Sequence, residues 1–278
     1  MFAFWTILTA SLTSVACALL GCYLVLRKMA MVSDAISHSV LPGILFAFFI
    51  TGSRDSTAML IGAAFLGLLT TTIIEFLHRK GNLQSDAAIG VTFTALFALG
   101  VILVSAFAEQ IDLDTDCVLY GEIAYVPLDI WFSGNQNMGP KAVWTMGVLL
   151  LCIASFIYFA YKELLLTSFD PAFATAVGLQ TQIWHYLLIG AVSLTTVAAF
   201  ESVGAILVVA LLICPAATAY LLTSQLKNML AFASIFGVII AISGYYLAVW
   251  IDGSIAGAMS TMAGLLFVVA LVVSKLRK

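Results

Sequence analysis

Charge is scarce in this chain. Asp, Glu, Lys and Arg together make up 9% of 278 residues, against 63% apolar residues and a mean hydropathy of +1.14. That balance excludes an ordinary soluble domain, in which about a quarter of the residues are charged. The five cysteines form no C-x-x-C pair. Four of them, Cys17, Cys22, Cys152 and Cys214, sit in apolar runs where the thiol behaves as a small hydrophobe, so neither a disulfide framework nor a zinc knuckle is expected. No G-x-x-x-x-G-K-[ST] loop occurs, which leaves nucleotide hydrolysis to another protein. Neither a serine elbow nor H-E-x-x-H nor a pair of intramembrane aspartates points to a membrane hydrolase, so the chain is not expected to be an enzyme. The net charge of −3 says nothing about partners, and no nucleic-acid partner is expected.

What the chain does have is apolar runs of about 20 residues, the length that crosses roughly 30 Å of hydrocarbon as a helix. They lie near 4–26, 32–51, 56–77, 87–108, 140–161, 182–200, 203–222, 229–250 and 255–274. The expected fold is therefore an all-α, polytopic membrane protein with about nine transmembrane helices, read as a single transmembrane domain over 1–278. The pair of runs around Glu201 to Gly204 reads either as a tight turn or as one re-entrant feature. With the N-terminus outside, Arg27, Lys28, Arg79, Lys80, Lys162, Lys227, Lys275, Arg277 and Lys278 fall in the cytoplasm, and only Arg54 and Lys141 fall outside. This puts the C-terminus in the cytoplasm. It puts the acidic stretch Glu109, Asp112, Asp114, Asp116, Glu122 and Asp129 outside. The first run has its basic pair after it rather than before it, so it is expected to be a retained helix and not a signal peptide. No soluble domain is expected at either end.

One polar stretch interrupts this pattern. In "SDAISHSVLPG", Ser33 to Gly43, Asp34 and His38 are four residues apart and so share a helix face, about 40° apart around the axis. An ionised carboxylate at the bilayer centre costs about 3 kcal/mol on insertion scales, so such a residue faces a cavity, a partner or a pathway. A carboxylate oxygen with an imidazole nitrogen suits Mn(II), Fe(II) or Zn(II). One Asp and one His make half a site, which two copies of the chain meeting on a two-fold axis would complete. The competing structural reading is an Asp–His or Asp–Ser hydrogen-bonded pair that only fixes helix packing, with Ser33, Ser37 and Ser39 as interhelical partners. A proton pathway in a gradient-driven carrier is also open at this point. Pro42 frees the His38 carbonyl and points to a break in that helix, and Pro215 to a packing kink.

Elsewhere, Glu75 and His78 read as side chains reaching the headgroups beside Arg79 and Lys80. His185 reads as an interfacial residue, Asp86 as a helix cap and Glu201 as a residue that could line a metal pathway. Between the fifth and sixth runs, "KELLLTSFDPAFATAVGLQ" holds a helix start at Asp170–Pro171 and a stop at Gly178. The resulting helix of about seven residues, within a segment at about 166–180, is too short to span. It is either a connector or a knob that docks a cytoplasmic partner.

The stretches "LRKMAMVSDAISHSVLPGI", "SDAAIGVTFTALFALGVIL", "DTDCVLYGEIA", "KELLLTSFDPAFATAVGL" and "ESVGAILVVALLICPAATAYLL" resemble hallmark segments of the zinc/manganese/iron permease family of bacterial ABC importers. The resemblance covers most of the chain in the expected order, and the wording is nearer to manganese-type members. It implies a multi-pass protein of the bacterial cell membrane that pairs with a second copy of itself. The expected partners are cytoplasmic ATPase subunits and an extracytoplasmic metal-binding protein. It implies no permanently bound cofactor, only a transported Mn2+, or alternatively Zn2+ or Fe2+. It assigns Asp34 and His38 to coordinating or gating the metal, and Phe169, Asp170, Pro171 and Ala174 to the helix that meets the ATPase. It shows no appended C-terminal regulatory domain.

Overall fold

A computed structural model describes residues 2–51, 56–107, 123–133 and 136–276. Where lipid replaces water, a backbone N–H or C=O must be satisfied within its own element, and among the described residues helices account for nearly all of the chain. The long ones are α1 (Phe2–Leu26), α2 (Val32–Thr51), α3 (Ser56–Arg79), α4 (Ser85–Phe107) and α5 (Lys141–Phe159). Two short helices follow, α6 (Tyr161–Phe169) and α7 (Pro171–Ala176), and then α8 (Thr181–Val203), α9 (Ala205–Leu222), α10 (Leu226–Ile251) and α11 (Ile255–Leu276). Nine of these, all but α6 and α7, are long and apolar enough to cross a membrane, and they coincide with the nine runs read from the sequence.

The departure from all-α is small. Before α5 the chain makes a 3-10 turn at Val126–Leu128 and an antiparallel hairpin, β1 (Ile130–Ser133) with β2 (Gln136–Pro140), bulged between Ile130 and Phe132. The Lys141 ammonium meets the Asp129 carboxylate at 2.8 Å and its backbone N–H donates to the Asp129 carbonyl, which pins the hairpin to the start of α5. Of the acidic stretch, Glu109 to Glu122 lies outside the described residues; Asp129 is the described member.

The hydrophobic centre is built on α1. Ala10, Ala16, Cys17, Leu20, Tyr23 and Leu24 are all buried there, and α1 packs against α5, α9 and α10. A second group forms where α2 packs on α3 and α4. Between the two groups lies α8, which touches α1, α2, α3 and α9. Many hydroxyls inside the bundle bond back to their own helices, as Thr13 does to the Thr9 carbonyl and Thr70 to that of Leu66, whereas those of Ser14, Ser193 and Thr196 are buried with no hydrogen-bond partner among the described residues. Helix association between lipid tails gains little from hydrophobicity, so close approach of small residues matters more. In the α2–α3 seam a Cβ built on Gly43 would sit 2.8 Å from the Gly62 carbonyl oxygen, and one on Gly62 would sit 2.6 Å from the Gly43 carbonyl oxygen.

The structure corrects or completes the sequence reading at three points. First, the break expected at Pro42 does not form: α2 runs unbroken through it, because packing by neighbouring helices holds the helix where the proline removes a donor. Second, the stretch after α5 carries a separate helix, α6, before the expected short one. Third, α8 and α9 are joined through Gly204 alone, whose φ of 80° is open to glycine and strained for other residues.

The α2–α3 contact yields a prediction. Gly62→Val forces atoms into the Gly43 backbone, and overpacking of this kind costs about 1–3 kcal/mol. The thermal midpoint of the purified protein in detergent should fall. Gly90→Ala, on α4 with open space around its Cα, should leave that midpoint in place.

Candidate functional site

Asp34 lies in the first turn of α2, and His38 one turn later on the same face. Asp34 Oδ1 and His38 Nε2 are 3.6 Å apart, too far for a hydrogen bond, and both side chains are about one-third exposed, at 33% and 36%. The three serines beside them are occupied locally. Ser33 donates to the Ala30 carbonyl, Ser37 to that of Ser33 and Ser39 to that of Ile36, each at 2.9 Å. None of the three hydroxyls therefore donates to another helix among the described residues. On its other side the His38 ring meets Phe93 and Phe97 of α4, with both ring centroids 5.5 Å away. These rings fix the imidazole by shape and leave its nitrogens free of carbonyl competition.

A carboxylate and an imidazole in loose contact on one accessible face can take a shared ligand. Among the described residues no group of three or more His, Cys, Asp or Glu side chains is gathered closely enough to hold a metal ion. One copy of the chain thus presents one carboxylate and one imidazole at this face. Glu201 lies in the last turn of α8 by its backbone, and its side chain lies outside the described residues. Cys17 and Cys22 are buried in α1 and free, away from α2 in sequence and packed into the core.

The short helix forms as the sequence led one to expect. Asp170 is the N-cap of α7 and its carboxylate accepts from the Phe173 N–H at 2.9 Å; Pro171 follows as the first helical residue. Gly178, with φ of 91°, ends the segment. Phe169 and Phe173 are more than half exposed, whereas Ala174 is fully buried. The segment therefore offers two aromatic rings outward from a helix anchored by its inner face.

A second polar cluster escaped the reading of single helices. Glu75, near the end of α3, is 7% exposed and does not reach outward as expected; its Oε2 lies 2.9 Å from His185 Nε2 on α8. His185 Nδ1 is 3.3 Å from Arg27 Nη1. Arg27 also donates from Nη2 to Thr167 Oγ1 at 2.9 Å and from Nε to Ser168 Oγ at 3.0 Å. The chain enters this position through the turn that ends α1: Lys28 takes a left-handed conformation (φ 58°) and the Met29 N–H bonds to the Leu24 carbonyl at 2.9 Å. Burial pushes the Arg27 guanidinium below its ordinary pKa, with Tyr23 acting in the opposite sense. The expected neighbour His78 stands apart from this cluster, exposed, with Nδ1 2.9 Å from the Leu83 carbonyl oxygen. No sequence signal links residues 110 and 158 positions apart; the only hint was three ionisable residues at run ends of like orientation.

Comparison with known proteins decides the family. The chain matches the ABC 3 transport family over residues 1–274. It belongs to that family. This ABC 3 chain is 48% identical over 273 residues to the manganese transport system membrane protein MntD of Bacillus subtilis (strain 168), covering 98% of itself and 92% of that protein. It is 46% identical over 263 residues to the zinc transport system membrane protein TroD of Treponema pallidum (strain Nichols), covering 94% of itself and 71% of that protein. Among solved structures, PsaBC from Streptococcus pneumoniae in complex with Fab superposes with a TM-score of 0.79 at 32% identity, covering 97% of this chain and 91% of that one. The ABC 3 chain is thus a multi-pass bacterial membrane protein and the membrane subunit of an ABC transporter.

The cap on α7 yields a local prediction. Asp170→Ala removes the acceptor for the Phe173 N–H at a cost of about 1 kcal/mol to the helix. In hydrogen–deuterium exchange the first turn of α7 should exchange faster, while Asp170→Asn, which keeps an acceptor, should stay near the parental rate.

Proposed function

We propose that this chain is the permease subunit of an ATP-driven importer of a divalent transition metal, with Mn(II) as the cargo and Zn(II) or Fe(II) as the alternatives within the class. In this reading two copies meet with α2 at the seam, and cytoplasmic ATPase subunits supply the energy. An extracytoplasmic binding protein hands over the ion. The observation that carries the reading is the Asp34–His38 pair, open on one face of α2 and bonded to none of the serines around it.

The chemistry follows from the donor set. Two copies bring two carboxylates and two neutral imidazoles, so a bound M2+ cancels two negative charges that would otherwise repel each other in a medium of low dielectric. The occupied site is neutral, and this offsets the cost of holding carboxylates away from water. The imidazoles favour transition metals over Mg2+ and Ca2+, which prefer all-oxygen shells. The lack of a thiolate keeps binding weak enough for release, as conduction through a membrane requires. When the two halves separate, the ligand set splits into pairs and each pair holds the ion less well, so the same residues serve as site and gate. Similarity to a manganese transport protein and to a zinc transport protein supports the cargo class.

In the same reading the side where α1 and α3 end and α8 begins is the cytoplasmic one, since the Lys and Arg residues collect there. Phe169, Asp170, Pro171 and Ala174 then form the helix that meets the ATPase. The exposed rings of Phe169 and Phe173 suit insertion into a groove on that partner.

A gradient-driven carrier, with Asp34 and His38 passing protons, is the second class. Metal uptake in sealed vesicles separates the two: uptake requires ATP and the ATPase here, and uptake on a proton gradient alone overturns the proposal. Asp34→Asn and His38→Ala should each cut manganese accumulation by an order of magnitude or more with the complex still assembled, a loss of at least about 1.4 kcal/mol in favour of the productive path. Unchanged accumulation in both would return the pair to a packing role. Asp170→Lys should weaken co-purification of the ATPase while leaving the outer face able to receive the binding protein.

A further inference from the structure

Resting on the permease reading above, we propose that Arg27, His185 and Glu75 form a polar strut that carries movement of the α6–α7 segment to α3, and through α3 to the helix bearing Asp34 and His38. The three are positioning residues; none is placed at the metal.

Hydrogen-bond direction fixes how the strut is wired. A guanidinium only donates, so the His185 nitrogen facing Arg27, Nδ1, accepts. The proton of the neutral ring is then on Nε2, where it points to the Glu75 carboxylate, an acceptor. His185 is thus read as a neutral imidazole used from both sides at once. Arg27 fans out three donors, one to α8 at His185 and two to α6 at Thr167 and Ser168. The planar guanidinium holds these directions together, which a single ammonium could not do.

The strut adds directed bonds to elements that already pack, since α8 lies against both α1 and α3. Only Asp170 separates Ser168 and Phe169 on α6 from α7, so a shift of α7 displaces the Arg27 acceptors directly. At the other end Glu75 sits on α3, whose Gly62 lies against Gly43 of α2, backbone on backbone. Contacts this close transmit a displacement rather than absorb it. Glu75 and His185 are both shielded, with 9% and 14% of their side chains exposed, so water competes little for these bonds. Coupling through such a network is claimed on the basis of a chain of directed bonds between four helices, and it calls for a direct test of coupling.

The test uses the complete complex in vesicles, permease with its ATPase subunits and binding protein, with Mn2+ import and ATP hydrolysis measured side by side. Three variants bear on it. Thr167→Val with Ser168→Ala removes two hydroxyls with little change of shape. His185→Leu removes both ring contacts. His185→Gln keeps one acceptor and one donor on a planar group. The first two should lower import by about tenfold while hydrolysis stays within about twofold, so that more ATP is spent per ion; His185→Gln should stay within about threefold of the parent in both. Import and hydrolysis falling together in the hydroxyl double variant, or neither changing, overturns the strut. A His185→Gln variant as defective as His185→Leu does so too. If His185→Leu fails to assemble, the double variant decides alone. Absence of ATP-dependent import by the parental complex instead removes the permease reading, and the strut with it.

Discussion

Water is missing from most of the space this chain fills, and nearly every structural feature answers that fact. Backbone polar groups have to close on themselves, so the chain goes into helices long enough to cross the hydrocarbon and spends little on loops. The same rule applies to hydroxyls. Thr13, Thr70, Ser37 and Ser39 each turn back to a carbonyl of their own helix, and Ser33 to the Ala30 carbonyl in the turn before α2. With hydroxyls spent locally and no hydrophobic gain from pressing apolar helices together in lipid, the bundle relies on small-residue seams such as Gly43 against Gly62. A polar side chain that neither closes locally nor sits at an end then stands out.

How much of this was legible in the sequence follows from the range over which each signal acts. Span existence is a property of about 20 neighbouring residues, and all nine runs became helices. The α7 start is even more local: Asp170 caps, Pro171 leads and Gly178 stops within nine positions, and each does so. The shared face of Asp34 and His38 follows from helix geometry alone. Pro42 was misleading because the proline rule describes an isolated helix, whereas α2 is held by α3 and α4. The Arg27–His185–Glu75 cluster was not legible at all. Each of its members sits at a run end where an ionisable residue has a ready explanation in the headgroups, and only the folded chain brings three run ends together.

This assembly of ends also explains why Glu75 is buried. A carboxylate reaching outward would have needed nothing from the rest of the chain. Turned inward, it requires a donor, and His185 supplies one only because Arg27 takes the other ring nitrogen as acceptor. The order of dependence runs from Arg27, whose N–H still bonds to the Tyr23 carbonyl of α1, to the imidazole, and last to the carboxylate. Loss of the first member leaves the others with buried polar atoms and poor partners, a larger penalty than the bond itself is worth.

The chain thus uses the pairing of a carboxylate with a histidine twice, to opposite ends. At Glu75 and His185 the groups are in hydrogen-bond contact at 2.9 Å, shielded, and flanked by a guanidinium whose fixed positive charge repels a metal ion. At Asp34 and His38 the groups stand 3.6 Å apart, one-third exposed, with aromatic rings rather than a cation alongside. An incoming M2+ at the first pair would have to displace Arg27 and break a formed bond. At the second it has no bond to break and no like charge to face. Ligand type alone, which is nearly the same at both pairs, does not separate them; the neighbouring charge and the unclosed gap do. In the proposed reading that difference favours α2 as the place for a passing ion and leaves the other pair to the strut between helices.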